Sequence, residues 1–152
     1  MAGKTELNNK CKELSGQIDE YEKKISVISS AILATKTKKS QLTVARGDLK
    51  ASRTWVQDSI ESFKENYYGS DIAERKLAEM KDLKDNMKQE YNTLQELIDN
   101  CDTALGKLND LKSKYETELQ NCKIKLSEAK VQLAKLNNPW WGEKYGSTYK
   151  YR

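Results

Sequence analysis

AERKLAEMKDLKDNMKQEYNTLQELIDNCDTALGKLNDLKSKYETELQNCKIKLSEAKVQLAKL, residues 73–136, is the stretch that decides the fold. Its mostly apolar residues recur in alternating steps of four and three: Ala73, Leu77, Met80, Lys84, Met87, Tyr91, Leu94, Ile98, Cys101, Leu105, Leu108, Lys112, Tyr115, Leu119, Cys122, Leu126, Ala129, Leu133 and Leu136. Those steps average 3.5 residues, the period that keeps one narrow stripe of a helix facing a partner as both supercoil. At a rise of 1.5 Å per residue the stretch makes a helix of roughly 95 Å. A seam that thin cannot form a core by itself, so the helix needs something to pack against.

The first half of the chain carries the same spacing. Leu7, Cys11, Leu14, Ile18, Tyr21, Ile25, Ile28, Ile32, Thr35, Lys39, Leu42, Arg46 and Leu49 follow it, and the phase survives through Arg53, Val56, Ile60, Phe63 and Tyr67. Two long helices of matching period joined by a short break make an αα-hairpin. The strongest break is Tyr67-Tyr68-Gly69-Ser70-Asp71, where Gly69 suits the left-handed end of a helix and Asp71 with Glu74 forms a capping-box-like start. The expected fold is therefore all-α: a long antiparallel coiled-coil hairpin over residues 1–138, with arms of about 5–66 and 71–136, and a short aromatic tail over 139–152. Gly47 and the residues from Lys50 to Thr54 are a second weak point, with Thr54 placed to cap a short helix from Trp55. One long first arm and an arm kinked within 47–54 both stay open.

In an antiparallel pair the a positions of one arm share layers with the d positions of the other. Pairing residues whose numbers add to 133 sets Ile60 opposite Ala73, Val56 opposite Leu77, Ile25 opposite Leu108, Tyr21 opposite Lys112 and Cys11 opposite Cys122. Registers shifted by one heptad obey the same rule. Lys39, Arg46 and Arg53 on one arm, and Lys84 and Lys112 on the other, interrupt the stripe. Such residues fix register and partner choice at a cost in packing, or simply lay an alkyl stem over apolar surface while the charge reaches water.

Composition narrows the function. The chain has 152 residues, 37% of them hydrophobic and 33% charged, which suits a helical protein with a thin core better than a globule. A net charge of +4 arises from mixed Lys and Glu along the helices and reads as solvated faces, with no nucleic-acid partner expected. There is no histidine, no glycine-rich phosphate loop and no paired-carboxylate pattern, so neither catalysis nor any cofactor or metal is expected. Cys11, Cys101 and Cys122 all fall on the seam and read as small buried apolar residues in a reducing compartment, although oxidation could join Cys11 to Cys122 in the register above. Met1 to Glu6 is polar and the most apolar run, Ile25 to Ala34, is too short to span a bilayer. The expected location is the cytoplasm, with export alongside a partner as an option and no membrane insertion.

Large aromatics outside the seam are the candidate contact residues. Trp55 lies off the stripe, and the tail from Pro139 to Arg152 holds five aromatics in fourteen residues, Trp140, Trp141 and Tyr145 among them. Aromatic side chains mixed with cations suit docking, or alternatively Trp140 and Trp141 fold back over the open end of the hairpin.

A long N-terminal helix, Trp55 followed by Phe63, a second long helix and the Trp140–Trp141 pair resemble the YwqH-like family of small helical proteins. These belong with the WXG-type hairpins of Gram-positive bacteria and are linked to type VII secretion. The resemblance implies a targeting chaperone that binds the N-terminal helical domain of an LXG-type toxin. A second small helical partner and the membrane secretion ATPase would complete the assembly. Trp55, Phe63, Trp140, Trp141 and Tyr145 are the candidate protein-binding residues, and Lys39, Arg46, Lys84 and Lys112 the candidates for setting register and specificity. The resemblance would set the turn beside Trp55, whereas the helix-breaking residues set it at Gly69. Two other functions fit the same residues: a self-associating coiled-coil scaffold, and a general holdase chaperone.

Overall fold

A computed structural model describes residues 3–66 and 71–137. They form two helices, α1 (Lys4–Asn66) and α2 (Asp71–Asn137), packed antiparallel as an all-α helical hairpin, and the described residues contain no strand. The expected bend at Gly69 and the aromatic tail, with Trp140, Trp141 and Tyr145, lie outside the described residues.

Helix α1 is continuous through Gly47 and past Trp55. Thr54 starts no new helix: its hydroxyl donates to the carbonyl of Lys50 at 3.1 Å, one turn back. Thr35, Thr37 and Thr43 do the same toward Ala31, Leu33 and Lys39. This internal bond gives a β-branched residue a tolerable place within a helix. The threonine-rich middle of α1 is thereby kept helical, and Trp55 stands eleven residues before the helix ends. Asp71 and Glu74 sit in the first turn of α2, where carboxylates oppose the positive end of the helix dipole.

Among the described residues the helices pack in two compact units, one from residues 3–30 with 108–137 and the other from residues 31–66 with 71–107. In the first unit the buried apolar residues are Leu7, Leu14, Ile28, Cys122 and Ala129. In the second they are Ile32, Val56, Ile60, Ala73, Ile98 and Cys101. Every one of these is a seam residue, and no described seam residue is exposed. Most of the seam is only half-buried, because two helices cover one another along a stripe but leave its flanks in water.

The register is not the one with numbers adding to 133. In the second unit Lys39 pairs with Asp102 at 2.5 Å, Arg46 donates to Gln95 and Lys84 donates to Gln57, and each pair of numbers adds to 141. Each cation reaches an acceptor one position beyond its own layer, so facing seam residues add to 140. That is one heptad away from the expected pairing. Charge explains the choice. The expected register would bring Arg46 beside Lys88, Arg53 beside Lys81 and Lys50 beside Lys84, three cation pairs along one side. The observed one leaves a single such neighbour, Lys88 for Arg53. It is there that the structure leaves the buried Nε of Arg53 without a hydrogen-bond partner.

In the first unit the thiol of Cys122 lies 3.6 Å from the side-chain oxygen of Gln17, six residues along α1 from Cys11. Six residues of helix span about 9 Å, beyond the reach of a disulfide. The expected facing of Cys11 and Cys122 is thus overturned, and all three cysteines are free thiols.

Two measurements check this account. An Ile18→Cys variant should form a bridge to Cys122 under mild oxidation, whereas the native chain should retain three titratable thiols. Helical Gly47 has nothing within 4 Å of where a Cβ would stand. Gly47→Ala should therefore stabilise the fold by about 0.5–1 kcal/mol in urea melts, whereas a kink that needs glycine would reverse the sign.

Candidate helix-docking face

The seam cations decide which side of the second unit is closed. Lys39, Arg46 and Lys84 occupy a positions, and their acceptors Asp102, Gln95 and Gln57 occupy e positions of the facing helix. All three bonds lie on the same side of the seam. There, polar groups bridge from helix to helix and satisfy one another. The pairs are partly exposed, so each adds little stability, but their placement fixes which residues face which. Lys39, Arg46 and Lys84, the expected register residues, are the seam cations that make these cross-helix bonds. Lys112 has no such cross-helix bond: it reaches Glu116 on its own helix at 3.9 Å.

The opposite side, made by the g positions, is built differently. On α1 it carries Ala31, Lys38, Ala45, Ser52 and Ser59, mostly small residues. On α2 it carries Lys76, Leu83, Glu90, Leu97 and Ala104. Leu83 and Leu97 are 49% and 41% exposed, although g positions of an isolated two-helix pair are normally charged. Small residues on one helix beside leucines on the other leave a trough along this side.

Trp55 stands on the rim of that trough and is 70% exposed, as its off-seam position predicts. It lines a shallow groove of about 400 Å³ with Ser59, Ser62, Phe63, Asn66 and Met80. Phe63 and Met80 are half-buried seam residues that line this groove beside Ser59. Structure thus brings Trp55 and Phe63 together, as two of the five expected contact residues. Leu83 and Leu97 were not singled out from the sequence, although their fourteen-residue separation, two heptads, was the available signal.

The first unit holds a different cluster. The rings of Tyr21 and Tyr115 lie 5.9 Å apart, and the Lys24 ammonium sits 5.6 Å and 5.3 Å from their centres. The ring of Tyr21 therefore lies against Tyr115, and not opposite Lys112 as the expected register had it. The Tyr21 hydroxyl donates to the Glu118 carboxylate, and this bond, with burial and the negative charge of Glu118, holds its pKa above the ordinary 10.0.

Among the described residues no helix is long and apolar enough to cross a membrane, and no group of three or more His, Cys, Asp or Glu is placed to hold a metal ion. No protein-family model, curated protein or solved structure matches the chain.

The Tyr21 shift has a sign that can be tested. Its protonated form is favoured in the fold, so its contribution is fully present below pH 10 and lost as pH rises through the raised value. As pH rises above about 10 the native protein should lose more stability in urea melts than Tyr21→Phe, which has no hydroxyl to ionise. Equal losses would show that the Tyr21–Glu118 bond does not report on folding.

Proposed function

We propose that this chain is a non-enzymatic helical partner protein, which uses the open side of its second unit to complete a bundle with helices of another protein. The observation that carries the reading is the contrast between the two sides. One is closed by Lys39–Asp102, Arg46–Gln95 and Lys84–Gln57, and the other exposes Leu83, Leu97 and Trp55. A helix laid in the trough would cover the leucines and bring Trp55 against its flank, in the manner of helix-in-groove recognition. Burying those side chains is the main source of affinity, because exposed tryptophans at a contact commonly dominate its energy.

The resemblance to YwqH-like hairpins names the client: the N-terminal helical domain of an LXG-type toxin, delivered by this chaperone to the type VII secretion machinery. In that setting the protein works in the cytoplasm of a Gram-positive bacterium, and a second small helical partner and the secretion ATPase read the finished bundle. Trp140, Trp141 and Tyr145 would add contacts from the tail.

Co-expression of the full chain with the helical domain of an LXG-type toxin encoded beside it tests the reading. A stoichiometric complex should survive gel filtration, and Trp55→Ala should weaken it about tenfold or more. A client that elutes apart from the chain under those conditions would overturn the proposal.

A further inference from the structure

We infer that the open side of the second unit is also a self-association surface, where a second copy of this chain docks antiparallel about a two-fold axis through Leu97. In such an interface the residue on the axis meets itself, so a charge there would face its like and an apolar side chain is favoured. Leu97 is a g-position leucine, 41% exposed, and meets that demand. An axis one heptad earlier would press Glu90 against Glu90 of the second copy, carboxylate on carboxylate.

The hairpin register then fixes what happens on α1. Facing seam residues add to 140, so an axis through Leu97 crosses α1 at the level of Thr43. Residues equally far on either side of Thr43 are brought together across the axis. Lys38 meets Asp48 of the second copy, and by symmetry Asp48 meets its Lys38. Trp55 meets Ala31, a large exposed ring against a small residue, and Ser52 meets Ala34. On α2, Glu90 falls beside Ala104 of the second copy and faces no like charge. One axis, chosen only to place a leucine on itself, thus yields two opposite-charge pairs and a large-to-small fit on the other helix. That complementarity is the argument for a second copy as the occupant. The inference is independent of the toxin-domain client, which would compete for the same side.

The test uses the full chain in sedimentation equilibrium at low and high micromolar concentration. The expected species is a dimer, twice the 17.5 kDa of the chain. Lys38→Asp and Asp48→Lys should each raise the dissociation constant about tenfold, and the charge-swapped double variant should restore it. Leu97→Cys should crosslink to a covalent dimer on oxidation, with helical circular dichroism verifying that each variant is folded. A monomer throughout the concentration range overturns the inference, and so does a dimer whose single charge reversals are not rescued by the swap. A monomer that still forms the client complex leaves the client reading standing; a dimer that binds no client does the reverse.

Discussion

A cation placed in the seam between two helices has to send its charge out to one side, and the rest of this structure follows from where it goes. Lys39, Arg46 and Lys84 carry long stems that cover apolar neighbours and end in groups needing an acceptor. Each finds one on the facing helix, at Asp102, Gln95 and Gln57. Because all three acceptors occupy e positions, the polar bridges gather on one side. That arrangement selects one register among heptad-shifted alternatives whose apolar layers are equally satisfied. Among the described residues of the second unit the other side shows no such bridge from helix to helix, and there Leu83 and Leu97 stand exposed beside small residues.

The seam itself was fully legible in the sequence, since every described residue assigned to it is buried or half-buried. Alternation of four and three is a strong signal because a helix offers few other ways to satisfy it. The register was not legible from that signal, for a physical reason. Sliding one helix by seven residues returns apolar positions to apolar positions, so the hydrophobic pattern cannot tell the slides apart. The discriminating information lay one position outside the seam, in the charges of Lys50, Lys81 and Lys88. Weighing like-charge neighbours in each slide would have rejected the register that paired Cys11 with Cys122.

Local propensity misled in a similar way at Gly47 and Thr54. Glycine in a helix interior costs up to about 1 kcal/mol, and threonine is a good capping residue. Neither breaks α1, because flanking seam residues pack on α2 and Thr54 bonds back to Lys50. Tertiary packing outweighs a single unfavourable residue when the helix around it is long. The g-position leucines were missed because attention to an a/d stripe treats its flanks as solvent. Leu83 and Leu97 are where the apolar stripe of α2 widens beyond what one partner helix can cover.

That widening bears on what the hairpin is for. A two-helix pair buries little: a few side chains such as Leu7, Ile60 and Ala129 are nearly covered, but most of the seam is only half covered. Completing a bundle would bury the flanks of the seam together with the exposed leucines, so a third or fourth helix would stabilise the fold while it binds. Stability and recognition then draw on the same surface. Trp55 fits this logic, because a ring 70% exposed contributes almost nothing to the isolated hairpin and has most to gain when a helix covers it. On the closed side Lys39, Arg46 and Lys84 already hold acceptors across the seam, although the buried Nε of Arg53 there has none. A further helix laid on the other side would cover Leu83, Leu97 and Trp55, whereas Lys39, Arg46 and Lys84 send their charge away from it.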